Sequence, residues 1–311
     1  MGAAADVVSF GRENALTQGT LDGQLLEAHR PLLFGVAYRM LGSVGEAEDV
    51  AQEALTRFVT AGPERIESPR AFLVTVATRL CLDQLKSARA QRESYLGTWL
   101  PEPLLAGADD PRVSPEGAAT ARESVTMAFL VVLESLGPLE RAVFLLHEVF
   151  DFSHAEVAAI VGRNEAACRQ LLHRGLERVK AGRPRFSPSY QEVRRLTEQF
   201  LLAAGTGDLE GLMGLLADDI TAWADGGGKV AAAINPVFGV DRVARYVVGV
   251  LRKEAPDRAE VRDVNGQPAI LAWQRGRLTN VVTVEVGEGR IVGLRAVRNP
   301  EKLARLAAAT A

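Results

Sequence analysis

Two stretches hold residue types and spacings that do chemistry. The first is "EAACRQLLHRGLERVK", residues 165–180. Arg169 and Gln170 stand three to five positions before His173 and Arg174, on one side of a helix. From Arg163 to Arg185 seven Arg or Lys stand against two Glu, a local charge of +5 (7 − 2). Arg and Gln make paired hydrogen bonds to base edges in a major groove, and further arginines neutralise phosphates. The second stretch is "WADGGGKV", residues 223–230, where three glycines run into a lysine as in loops that cradle nucleotide phosphates. Spacing removes that reading. A phosphate loop needs G-x-x-x-x-G-K followed by Ser or Thr and opens a helix. Here Lys229 is followed by Val230, position 223 is Trp, and "KVAAAI" reads as a strand. Asp225 to Gly228 are expected to form a tight connection between two strands.

Other chemistries find little support. The last histidine is His173, so the carboxyl-terminal third has no histidine, and it has no cysteine. Asp225 or Asp263 can act only as a lone base, without a paired acid. Cys81 and Cys168 lie in apolar helical patterns without metal-ligand spacing. His147 and His154 read as structural. No metal and no cofactor are expected.

The basic stretch needs elements to position it. "SHAEVAAIVGRNEAACRQLLHRGLERVK", residues 153–180, has helix-turn-helix spacing: Ser153 as a cap, Ala158 small at the crossing, Gly162 at the turn, and Val157, Val161, Cys168 and Leu171 inward. Upstream, residues 21–94 follow a helical period, with breaks at Gly42 and before Pro69. Residues 95–117 contain four prolines and three glycines and read as a linker. Helical segments follow at roughly 119–136 and 138–149. After a break at "AGRPRFSPSY", a helix from Tyr190 to Ala204 precedes "DLEGLMGLLA". Strand-like runs then follow ("ITAWAD", "KVAAAI", "AILAWQ", "LTNVVTVEV", "RIVGLRAVR"), with "VDRVARYVVGVLRK" helical between them. Helices first and strands afterwards imply an α+β domain.

With 311 residues, 47% apolar and 24% charged, the chain is long enough for two or three globular domains. The net charge of −3 excludes a uniformly basic coat but not a local basic face. No run approaches the ~18 apolar residues of a membrane helix. The start lacks a secretory pattern. A cytoplasmic protein that does not bind membranes is expected.

In order, "GEAEDVAQEALTRFV", "SPRAFLVTVATRLCLDQLKSARAQRE" and the two-helix unit resemble regions 2 and 4 of an extracytoplasmic-function sigma factor. "WLPEP" (99–103), "DGGGK" (225–229) and "NPEKL" (299–303) resemble the SigJ-like subgroup, which carries a SnoaL-like (NTF2-like) extension. The resemblance implies a multidomain chain: two all-α sigma domains followed by an α+β SnoaL/NTF2-like cone. The implied boundaries are a tail at 1–20, region 2 at 21–95, a linker at 96–118, region 4 at 119–183 and the cone at 187–305.

The resemblance also implies roles. Asp49, Gln52 and Glu53 would meet the β′ coiled coil of RNA polymerase core enzyme, and region 4 the β flap. Arg79, Lys86, Arg89 and Arg92 would handle the −10 promoter element, although Arg79 stands where many members carry asparagine. Arg163, Asn164, Arg169, Gln170, His173 and Arg174 would face the −35 element. Trp99, Leu100, Pro101, Glu102 and Pro103 of the linker would meet Asp225, Gly226, Gly227, Gly228 and Lys229 together with Asn299, Pro300, Glu301 and Lys302. That clasp would regulate the factor in cis, without enzymatic activity and without a separate anti-sigma factor, and the free chain would be a monomer. Two other readings stay open at this point: a stand-alone, ligand-responsive DNA-binding regulator, and a SnoaL-like isomerase or hydrolase.

Overall fold

A computed structural model describes residues 26–93, 95–107, 110–112, 125–182 and 188–310, residues 87–93 by their backbone alone. The expected tail at 1–20 lies outside them. Among the described residues no helix is long and apolar enough to cross a membrane.

The amino-terminal half is helical. Helix α1 (residues 26–41) is buried almost throughout from position 32. Helix α2 (Val44–Ala61) starts on the Ser43 side chain, which accepts from Glu46 N, and buries Val50, Ala54, Leu55 and Phe58 at helical spacing. Helix α3 (Pro69–Glu93) opens with proline at its first position, where the missing N–H costs nothing. Helices α4 (Met127–Glu134) and α5 (Pro138–Phe144) follow. The segment expected to continue as one helix to 149 instead widens into a π turn at Leu145–Val149. Helix α6 (His154–Val161) is closed at its start by a reciprocal capping box between Ser153 and Glu156. It stops at Gly162, and α7 (Glu165–Gly182) begins three residues on.

The two helical modules share one apolar core. It runs from Leu33, Val36 and Phe58 through Leu73 and Leu85 to Phe144, Leu146, Val157 and Cys168. Arginines stitch the seam. Arg141 of α5 donates to the Met40 carbonyl (2.5 Å) and pairs with Glu134 (2.8 Å). Burial lowers its pKa to about 10, so it stays charged at neutral pH. Arg70 of α3 donates to the Phe150 carbonyl and lies 4.3 Å from the Phe152 ring.

The carboxyl-terminal half begins with α8 (Tyr190–Thr206) and α9 (Leu209–Leu215). The strands are β1 (Leu216–Asp225), β2 (Val237–Phe238), β3 (Arg258–Val264), β4 (Gln267–Gln274), β5 (Arg277–Gly287) and β6 (Arg290–Val297). Helix α10 (Val240–Lys253) lies between β2 and β3, and α11 (Pro300–Ala309) ends the fold. The strands form one sheet in the order β2-β1-β6-β5-β4-β3, antiparallel except for the β1–β6 pair. Period-two alternation gives the sheet two apolar faces. Ile220, Ile270, Val284 and Leu294 meet Phe200, Leu212 and Val243 of α8, α9 and α10. Leu271, Val281 and Val297 on the other face meet Leu303 and Leu306 of α11, Leu100 of the linker and Met127 of α4.

Two expectations are corrected. "KVAAAI" is not a strand, and the glycine run is not a tight strand-to-strand connection. The Lys229 and Val230 amides turn back onto the Gly226 carbonyl, and the chain reaches β2 only at Val237. Val230 and Ile234 are exposed, so no sheet face rewards extension there. Strand β3, not expected from the sequence, pairs with β4 along its whole length.

Replacing Arg141 with alanine removes the buried donor shared by the Met40 carbonyl and the half-buried Glu134 carboxylate at the seam between the helical modules. A loss of about 3 kcal/mol is expected, the scale for breaking one side of a buried pair, measured as a lower urea midpoint.

Candidate nucleic-acid interface and interdomain clasp

Arg163, Arg169, Gln170, His173 and Arg174 are exposed on the outer side of the α6–α7 unit. Val157 and Cys168 are buried beneath them, with Val161 and Leu171 partly buried. Two of the exposed residues are pre-positioned by carboxylates. Arg169 pairs with Glu165 one turn back (3.0 Å). Arg174 pairs with Glu140 of α5 (3.2 Å), which also takes Arg178 (2.5 Å). Asn164 acts locally, since its Oδ1 accepts from Ala167 N (2.8 Å) and caps α7. The His147 and His154 rings stack on each other with centroids 4.2 Å apart.

On α2, Asp49, Gln52 and Glu53 share one exposed face. Arg30 of α1 donates to Gln52 (3.5 Å), and Arg57 pairs with Glu53 (2.7 Å). On α3, Arg79 and Lys86 are exposed two turns apart, and Lys86 pairs with Asp83 (2.7 Å). The side chains of Arg89 and Arg92 lie outside the described residues.

The linker runs between the helical half and the sheet, and residues 100–104 are buried along it. The Asp225 carboxylate, fully buried at the end of β1, is the centre of this contact. Its Oδ2 accepts from the Leu100 amide (2.8 Å) and from Lys302 Nζ (2.7 Å). Its Oδ1 accepts from the Tyr95 hydroxyl (2.5 Å) and the Gly227 amide (3.1 Å). Lys302 also donates to the Leu100 carbonyl (2.5 Å) and sits 4.2 Å from the Trp99 ring. Burial, followed by the bond to Asp225, pushes the Tyr95 hydroxyl well above the ordinary tyrosine range, so it remains a donor. Asn299 caps α11 through Glu301 N, and Pro300 takes the first helical position. That cap places Lys302 in the first turn, facing Asp225.

The glycine run is shaped by this contact. Gly227 has φ +60°, and a Cβ there would sit 2.2 Å from the Asn299 amide nitrogen. Lys229 closes the rim through an exposed pair with Glu301 (2.8 Å). At the other end Gly42, with φ +70°, lets the Trp99 indole lie where a Cβ would be, 2.7 Å away. Glu102 then reaches the start of α2. Its Oε2 accepts from Val44 N (2.8 Å) and Ser43 Oγ (3.1 Å), and its amide donates to the Gly42 carbonyl (2.8 Å). Arg305 of α11 pairs with Glu48 of α2.

Pro101 and Pro103 are buried within the strip without donating. Sequence reasoning missed Tyr95, Asn265 and Arg305. Tyr95 lies just upstream of the matched motif, and Asn265 stands in an Asn-Gly pair that signals only a hairpin.

Comparison with known proteins decides the family. Residues 25–91 match the Sigma-70 region 2 family, and residues 126–179 match Sigma-70 region 4. The ECF RNA polymerase sigma factor SigJ of Mycobacterium tuberculosis is 37% identical over 291 residues, covering 89% of this chain and 91% of SigJ. This chain belongs to the extracytoplasmic-function sigma factors. It is also 34% identical to the probable sigma factor SigI of the same organism over 280 residues, 89% of this chain and 92% of that one. The crystal structure of M. tuberculosis SigJ superposes with a TM-score of 0.73 at 33% identity, covering 91% of this chain and 98% of that one. Two helical sigma domains followed by a SnoaL-like sheet domain are therefore the architecture of this factor.

Asp225→Asn removes the negative charge facing Lys302 and weakens the acceptor for the Leu100 amide. Hydrogen exchange at Leu100 is expected to accelerate by about a hundredfold, as about 3 kcal/mol of a buried pair is lost.

Proposed function

We propose that this sigma factor is restrained by its own carboxyl-terminal domain, which holds the linker and keeps the two promoter-reading modules packed together. The observation behind this reading is the buried Asp225 carboxylate, bound at once by the linker backbone and by Lys302. Asp49, Gln52 and Glu53 are the face offered to core polymerase. Arg79, Lys86, Arg89 and Arg92 serve the −10 element. Arg163, Arg169, Gln170, His173 and Arg174 serve the −35 element, with Asn164 fixing the start of the reading helix. The factor works in the cytoplasm by binding, not catalysis. A separate anti-sigma factor is not required.

Size supports the restraint. A compact chain of 311 residues has a radius of gyration of about 20 Å and so a diameter of about 50 Å. The −35 and −10 elements, about 25 base pairs apart at about 3.4 Å each, are separated by about 85 Å. Modules that share one core cannot reach both, so promoter recognition requires them to part. Core polymerase supplies the binding energy for this opening, and the clasp sets how much is needed.

The packing also weighs against the other two readings. Phe200, Ile220, Val243 and Ile270 fill the sheet face on which a small molecule would sit. Asp225 is committed to Lys302 and Tyr95 rather than poised as a base. The opposite face is covered by the linker, α4 and α11, which fits a free monomer.

In reconstituted transcription with core enzyme, full-length Asp225→Asn is expected to give several-fold more promoter-specific product than the parent chain; equal output at all core concentrations removes the restraint. On a promoter the factor uses, Arg169→Ala and Gln170→Ala should each weaken holoenzyme binding by about 1–3 kcal/mol and relax selectivity at one −35 base. Arg163→Ala should instead weaken binding to every sequence alike and lower the salt slope by about one.

A further inference from the structure

Asn265, at the β3–β4 turn, is fully buried, although Asn-Gly turns normally face water. Its left-handed backbone (φ 56°) turns the side chain into the junction of three parts of the molecule. Its Nδ2 donates to the Tyr38 hydroxyl of α1 in region 2 (2.6 Å) and to the Val125 carbonyl just ahead of α4 in region 4 (3.0 Å). Its Oδ1 accepts from the Leu104 amide of the linker (3.2 Å), and its own amide donates to the Leu104 carbonyl (2.8 Å). Leu105 forms an antiparallel bridge with Val264, and the Gly266 amide donates to the Ala106 carbonyl (3.0 Å), so the linker's end lies along β3 as a short extra strand. Tyr38 passes the connection on. Its hydroxyl donates to the Glu102 carbonyl (2.6 Å), and the Glu102 carboxylate caps α2.

We propose that Asn265 is the positioning residue that couples release of the linker to release of both promoter-reading modules. The proposal rests on the restraint described above and assigns its transmission to one side chain. The primary amide offers two donor hydrogens and one acceptor oxygen, and each is used on a different part of the chain. When the linker lifts away, Oδ1 loses Leu104 and the hydroxyl of Tyr38 loses Glu102. A buried amide left half-satisfied is costly. The Tyr38 and Val125 bonds therefore loosen with the linker rather than after it. Asp225 holds the linker down; Asn265 makes that hold felt by regions 2 and 4.

The full-length chain with Asn265→Gly tests this, since glycine keeps the left-handed turn and removes only the amide. Spin labels at exposed Thr56→Cys on α2 and Glu177→Cys on α7 report the module separation, because the native Cys81 and Cys168 are buried. The expected result is a broadened, longer distance distribution and Leu104 exchange faster by about tenfold, with the Leu100 amide as protected as in the parent. Tyr38→Phe should broaden the distribution in the same way, and the double variant should add little to either single change. An unchanged distribution in Asn265→Gly, equal loss of protection at Leu100 and Leu104, or additive effects of the two substitutions overturns the assignment. Asp225→Asn in the same assay separates the two levels: if it opens the modules without raising transcription, the restraint fails while the coupling stands.

Discussion

A carboxylate buried beyond the reach of water has to be met by donors and a counter-charge. Asp225 is that group, and much of the molecule is arranged to satisfy it. Lys302 supplies the charge, Tyr95 and the Gly227 amide complete one oxygen, and the Leu100 amide occupies the other. The Asp225 carbonyl is also taken, by the Arg298 and Asn299 amides at the start of α11. One residue thus ties the end of β1 to the last helix and both to the linker. The glycine run after it is small because neighbouring atoms already fill the space, not because a phosphate approaches.

The helical half obeys a second constraint of the same kind. Arg39, Arg70 and Arg141 carry charge into the seam between regions 2 and 4, where they meet carbonyls, one carboxylate and aromatic rings. Such contacts often add less net stability than an apolar seam of the same size.

Much of this was readable in the residues. The Ser153 cap, Gly162 and the inward Val157 and Cys168 gave the two-helix unit, because capping and period are local physics. The motifs WLPEP, DGGGK and NPEK were grouped by family resemblance, and the hydrogen bonds supply the reason. Other features were not readable. Periodicity tells which side of a helix is buried but not against what, so the core common to the two helical modules had no sequence signal. "KVAAAI" has the composition of a strand, yet the turn at Gly226 carries it off the sheet. Asn265 reads as turn chemistry, and only the fold shows what its amide binds. Lys302 is an ordinary helix-start lysine until Asp225 is placed beside it.

The linker and the surface that holds it belong to one polypeptide. Their encounter is unimolecular, with an effective local concentration on the order of millimolar for a short tether. Fixed one-to-one stoichiometry follows: under the proposed restraint, each newly made molecule would carry its own clasp, whatever the level of gene expression. With no core polymerase present, doubling the amount of factor would leave the proposed closed-to-open ratio unchanged. A signal acting on the proposed clasp would have to change an affinity within the chain rather than the amount of a second protein.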